Sequence, residues 1–226
     1  MNLHSTEPFW LLKNGLLTPY PSLKTDLSCE VLVVGGGITG ALMAHALTEV
    51  GMDVVVVDKR DVATGSTAAS TAMLQYEIDV PLHKLIQQVG EETAVGSYRA
   101  CVAAIDELEK LAALTDTGCG FKRKKSLYFA HLPAHKARLQ TECETRQRHG
   151  FNVEWLDQSA ARQRFGLPTA GAILSADGAE VDAFQLAHGL FRRAVGKGLR
   201  VFDRTEITRT THTDAGVVLR TAQGHT

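Results

Sequence analysis

A chain of 226 residues is long enough to bury a substantial core as one large domain or two small ones. Its 44% apolar and 22% charged residues describe a globular protein, and a net charge of −1 excludes a global pull toward nucleic acid or anionic membrane. No apolar run approaches the roughly 20 residues a membrane-spanning helix needs. The N-terminus also lacks the charged-then-apolar layout of a signal peptide, so a cytoplasmic location is the expectation.

Residues 1–26 read as an N-terminal arm carrying Glu7-Pro8-Phe9-Trp10 and Pro19-Tyr20-Pro21. Glu30 to Val34 is a short apolar strand running into Gly35-Gly36-Gly37-Ile38-Thr39-Gly40. Ile38, Leu42, Ala46 and Val50 recur at helical spacing, and Gly51 ends that helix as a left-handed cap. Met52 to Val57 is a valine-rich strand suited to a central parallel sheet, and it ends on Asp58, 23 residues after Gly35. Strand, glycine turn, helix, strand and acid in that order are the fingerprint of a dinucleotide-binding βαβ unit. Gly35 allows the turn, Gly37 lets the backbone approach a pyrophosphate, and Gly40 lets the helix pack closely on the sheet. Ile38 and Thr39 open the helix, whose N-terminus offers free N–H groups and a positive dipole end to phosphates. Asp58 stands where a carboxylate would accept ribose hydroxyls. It disfavours a 2′-phosphate, although Lys59 and Arg60 soften that argument.

The segment after Asp58 is small and polar: Gly65, Ser66, Thr67, Ala68, Ala69, Ser70, Thr71, Ala72, Met73, Leu74. A plain NAD-binding unit would enter another helix here. A Gly/Ser/Thr loop instead supplies donors for a second pass along an extended cofactor, or else forms a surface loop leading to a helix cap. Gln75, Tyr76 and Glu77 follow, either facing a substrate or starting a solvated turn.

Leu82 to Leu114 reads as helix, broken near Gly90 and Gly96, with Val102, Ile105, Leu108, Leu111 and Ala112 as a core-facing stripe. Gly118-Cys119-Gly120 is a breaker, and Phe121 to Ala130 is strand-like. Its Lys122 to Lys125 run reads as a solvated strand edge rather than a nucleic-acid patch. Pro133 to Gly150 is helical, Asn152 to Trp155 a short strand, and Asp157 the cap of a helical turn. His131 and His135 are four apart with Pro133 between them, and no metal is expected. Cys29, Cys101, Cys119 and Cys143 contain no CxxC pair and read as reduced thiols. Val181 to Gly196 is a helix; Leu199 to Phe202 and Glu206 to Thr210 are strands. Gly216 to Thr221 is a further strand, with Ala222-Gln223-Gly224 turning into a partner strand begun by His225 and Thr226.

Three places resemble the D-amino-acid-oxidase (DAO) family of flavoproteins, which includes glycine oxidase, sarcosine oxidase and gamma-glutamylputrescine-oxidase-like enzymes. They are Gly35 to Asp58, Gly65 to Leu74, and Gly171 to Asp182 followed by a helix and Gly198 to Ile207. The resemblance implies an α/β fold: a Rossmann-like FAD/NAD(P)-binding domain with an inserted α+β substrate domain, its C-terminal part missing. The implied division is 27–118 and 168–226 for FAD and 119–167 for part of the substrate domain. The implied cofactor is FAD, with Gly35, Gly37, Ile38, Thr39 and Gly40 at the pyrophosphate and Asp58 at the ribose. Lys59 and Arg60 lie beside them. Ser66 and Thr67 would bind phosphates, Thr71, Ala72 and Met73 would line the flavin, and Ile207 would meet the adenine through its main chain. The implied activity is oxidation of the C–N bond of an amine or amino acid by hydride transfer to flavin. No catalytic residue is named. Three alternatives remain at this stage: a non-catalytic FAD-binding fragment or subunit needing a partner chain, an NAD-dependent dehydrogenase, and a tRNA-modifying flavin oxidase whose only support is Lys122 to Lys125.

Overall fold

The computed structural model describes residues 7–226, so the first six residues of the expected arm lie outside it. The elements begin with α1 (Phe9–Asn14), β1 (Val31–Val34), α2 (Ile38–Glu49), β2 (Val54–Val57), β3 (Met73–Gln75) and α3 (Leu82–Val89). Then come α4 (Glu91–Leu114), β4 (Lys122–Phe129), a 3-10 turn at Pro133–His135, α5 (Lys136–Arg148), β5 (Val153–Asp157) and α6 (Gln158–Phe165). The chain closes with β6 (Gly171–Glu180), α7 (Ala183–Val195), β7 (Arg200–Phe202), β8 (Ile207–Thr213) and β9 (Gly216–Thr221). Gly90 separates α3 from α4, whereas Gly96 sits inside α4 without breaking it. A single glycine costs a helix interior only about 1 kcal/mol, which a helix of 24 residues absorbs.

Two compact units result. The first takes the chain up to Ala72, Leu111–Gly120 and Asp182–Thr226; the second takes Met73–Lys110 and Phe121–Val181. These boundaries differ from the expected 27–118, 168–226 and 119–167. The reason is that β6 is the central strand of the second unit's sheet, β3 pairs with it, and α3 and α4 supply that unit's core.

In the first unit, β1, β2 and β7 form a parallel sheet in the order β1-β2-β7. Val54 to Val57 are all buried, as a β-branched run between two neighbours should be. Helix α2 turns Ala41 and Ala44 inward, both fully buried, and packs on α7, whose Phe184, Leu186, Ala187, Leu190 and Phe191 complete the core. Asp182 caps α7 by accepting the Gln185 N–H at 3.0 Å, and the same carboxylate accepts Lys13 Nζ at 3.0 Å and Asn14 Nδ2 at 2.9 Å. One acid thus closes a helix end and fastens α1. The arm is further held where Asp203 accepts the Tyr20 N–H at 2.8 Å and Thr205 Oγ accepts the Leu23 N–H at 3.0 Å.

The partner of β9 is β8, paired antiparallel from Ile207↔Thr221 to Thr213↔Gly216, and not a strand begun at His225. The turn at Ala222–Gly224 does form, with Gly224 N–H donating to Thr221 O, but it follows a hairpin already closed at Asp214-Ala215.

In the second unit, β6 pairs antiparallel with β4 along one edge, while β5 and β3 share the other edge at its two ends. The basic run lies on β4, an outer strand. There Arg123 pairs with Asp106 and Glu109 at 2.6 Å each, and Lys124 with Glu180 at 3.1 Å. The main core gathers Tyr76, Leu82, Val95, Tyr98, Ile105 and Phe151. Tyr76 is fully buried, so it neither faces a substrate nor starts a solvated turn. Beneath it Arg146 is itself only 2% exposed, held by Glu142 at 2.6 Å and Glu77 at 3.2 Å. Burial works against the guanidinium charge, but Glu142, Tyr76 and Glu77 outweigh it and raise the Arg146 pKa. Burial likewise pushes Glu142 up, and its hydrogen bonds with the Arg146 charge more than reverse that, holding it below the usual carboxylate range.

Candidate cofactor site

The site forms where β1 turns into α2. Gly35 has a φ of +107°, and its N–H donates to Val57 O at 2.8 Å, tying the turn to β2. A Cβ on Gly40 would lie 2.0 Å from Gly35 O, so no other residue fits there without moving backbone. The α2 ladder starts with Ala41 N–H to Gly37 O at 2.9 Å. The N–H groups of Thr39 and Gly40 precede it and have no acceptor within the helix.

Thr67 fills part of this helix end: its buried Oγ accepts the Ile38 N–H at 2.9 Å. Asp58 closes the other side, accepting the Gly36 N–H at 2.7 Å on Oδ2 and the Arg60 N–H at 2.8 Å on Oδ1. Each carboxylate oxygen keeps a further lone pair. Asp58 O in turn accepts the Thr205 N–H at 2.7 Å. The loop beyond is a run of turns, Ala68 to Gly65, Ala69 to Ser66 and Ser70 to Thr67, with left-handed backbone at Ala63 and Ala72. Trp10 Nε1 donates to Ser70 O at 2.8 Å, so the arm packs on this loop.

Gly35, Gly37, Ile38, Thr39, Gly40, Asp58, Arg60 and Thr67 therefore come together. Arg60 folds over Gly65, where an added Cβ would lie 2.7 Å from its Nη2. Lys59, Ser66 and Thr71 are exposed, Ala72 is buried, and Met73 is 70% exposed at the start of β3 in the second unit. Ile207 is not gathered at the turn. It borders a cavity of about 770 Å³ together with Leu27, Val31, Val55, Val57 and Val217. Three features were missed from sequence: Thr67 as cap of α2, Gly36 as the partner of Asp58, and Asp203 as anchor of the arm. The acid closing β7 was the one available signal, because Asp203, like Asp58, ends a parallel strand.

The donor set suits a dinucleotide. Two backbone N–H groups without a helical acceptor at a positive helix end match a pyrophosphate, and a carboxylate with spare lone pairs matches ribose hydroxyls.

Comparison with known proteins agrees. The family described as DAO: FAD dependent oxidoreductase matches residues 30–226. The gamma-glutamylputrescine oxidoreductase of Escherichia coli (strain K12) is 26% identical over 221 residues, 97% of this chain and 51% of that protein. The putative Rieske 2Fe-2S iron-sulfur protein YhfW of Bacillus subtilis (strain 168) is 25% identical over 199 residues, 88% of this chain and 38% of that protein. The crystal structure of glycine oxidase from Geobacillus kaustophilus superposes with a TM-score of 0.69 at 25% identity, covering 87% of this chain and 52% of that one. The chain thus spans about half the length of the relatives it matches. By the family match over 30–226, it belongs to the DAO family of FAD-dependent oxidoreductases.

Proposed function

We propose that this chain supplies the adenine-dinucleotide half of an FAD site in an enzyme that oxidises the C–N bond of an amine or amino acid in the cytoplasm. The observation that carries the reading is the pairing of the open α2 N-terminus with Asp58 across one glycine turn. Gly35, Gly37, Ile38, Thr39 and Gly40 would hold the pyrophosphate. Asp58 would take the ribose, with Lys59 and Arg60 beside it. Ser66 and Thr67 would reach phosphate oxygens, Thr67 by giving its hydroxyl hydrogen while it still accepts from Ile38. Thr71, Ala72 and Met73 would line the flavin side, and Ile207 would meet the adenine through its backbone. The bound flavin supplies the hydride acceptor, and the protein's part is to bind, orient and exclude water. Small amines and amino acids are the substrate class.

A second reading, in which a further polypeptide segment or partner chain completes the site, rests on two observations. Among the described residues β1 has a neighbour on one side only, and the chain spans about half its relatives' length.

The experiment is an FAD titration of the chain followed by flavin fluorescence, with Asp58→Asn and Asp58→Ala as variants. Asn keeps one of the two N–H acceptors and so disturbs the turn less than Ala does, which makes a loss common to both variants the mark of ribose binding. A loss of about tenfold in affinity for each variant is expected, the cost of one charge-assisted hydrogen bond. Unchanged affinity in both removes the ribose role. An anaerobic panel of amines and amino acids then tests the chemistry by bleaching of the flavin band; bleaching by NADH alone points elsewhere.

A further inference from the structure

Away from the glycine turn, the second unit holds a cavity of about 120 Å³ bordered by Pro81, His83, Tyr128, His131, His135 and Arg138. We propose that it binds a small phosphate oxyanion, free or at the end of a larger molecule.

The argument starts from Glu142, which also borders the cavity and is 1% exposed. Its Oε1 accepts the Leu82 N–H at 2.9 Å and Arg146 Nε at 2.6 Å. Its Oε2 accepts the His83 N–H at 3.0 Å and meets His83 Nδ1 at 2.6 Å. Four partners occupy four lone pairs, so Glu142 has no acceptor left for a ligand. A charged carboxylate can only accept, so the His83 hydrogen sits on Nδ1. That leaves Nε2 as the free pole of a ring whose orientation the carboxylate holds.

The remaining polar lining is three imidazoles, the Tyr128 phenol and the Arg138 guanidinium. Arg138 is exposed and, among the described residues, pairs with no carboxylate. Such a lining suits an anion. Among the described residues no three His, Cys, Asp or Glu converge closely enough to hold a metal ion. The volume lies well below the roughly 300–1,000 Å³ of cofactor and drug-sized sites, which limits the part held inside it to a few heavy atoms. A monoprotonated phosphate meets both demands: it can give or accept a hydrogen bond at His83 Nε2, and it accepts from the fork of Arg138.

The test is thermal unfolding of the chain without FAD, in inorganic phosphate, in phosphoethanolamine, and in chloride at matched ionic strength. At phosphate about tenfold above its Kd, Tm should rise by about 3–5 °C over chloride. The rise should largely vanish in His135→Gln/Arg138→Ala, two substitutions at the outer side of the cavity. A response to inorganic phosphate alone assigns a free anion; a response to both assigns a terminal phosphoryl group. A Tm in phosphate no higher than in chloride, or a full rise in the double variant, overturns the site. Should the double variant not fold, phosphorus NMR of the wild-type chain decides. Saturable line broadening supports the site, and broadening that never saturates overturns it. FAD is absent throughout, so this outcome is independent of the cofactor assignment.

Discussion

His188 lies in α7, 1% exposed, with its ring edge-on to Phe184 at a centroid distance of 4.6 Å. Among the described residues neither ring nitrogen has a hydrogen-bond partner. Burial, and then the Arg192 charge, hold its pKa down at about 4 from an ordinary 6.5. As pH falls, the unfolded chain therefore takes up this proton before the folded chain does. The contribution to stability is complete above about 6.5 and drains away as pH falls toward 4. Between pH 7.5 and pH 5 the loss from this one group is about 2 kcal/mol. His188→Leu keeps a similar volume, removes the titration and removes two unpaired buried nitrogens. Urea unfolding of both proteins at the two pH values isolates the effect from all other titrations. The variant should gain about 2 kcal/mol on wild type between pH 7.5 and pH 5, or about 4–8 °C in Tm. A wild-type-to-variant difference that does not change with pH refutes the reasoning.

Gly40→Ala should abolish FAD binding in a fluorescence titration, because its Cβ would stand 2.0 Å from Gly35 O and force the turn open. Arg146→Met should cost about 3–5 kcal/mol in urea, since it leaves Glu142 and Glu77 buried without their cation. Adding Glu142→Gln should recover part of that loss, and a strictly additive double variant would deny the coupling. Asp182→Ala should lower stability by about 1–2 kcal/mol through the lost α7 cap. It should also speed proteolysis near Lys13, and an unchanged cleavage rate there would show that α1 is held by other contacts.

The legible parts of the chain were those whose partners lie close in sequence. The glycine turn, α2 and Asp58 fall within one short stretch, and each residue type carries its own steric or electrostatic reason. The Gly51 ending of α2 was equally local, with Met52 N–H reaching back to Leu47 O. The unit boundaries were not local. β6 is a continuous run whose three pairing partners come from different parts of the chain, so nothing within it announced that it centres a second sheet. The strand expected to end at Thr210 runs on to Thr213, because Thr211, His212 and Thr213 give no apolar alternation to follow. The Thr67 cap joins residues 29 positions apart, and the His83 cavity joins His83 to His131 and His135, pairings with no periodic signature.

The free side of β1 also governs how this polypeptide behaves in a tube. Among the described residues Val31 to Val34 has no strand partner on that side, leaving a row of backbone donors and acceptors open, and Val34 is 59% exposed. The strand carries no lysine, no proline and no bulge, the devices that keep such rims from templating one another. Concentrated chains should therefore zip edge to edge into soluble clusters. Val34→Lys should disperse them in light scattering while leaving the α2 N-terminus intact.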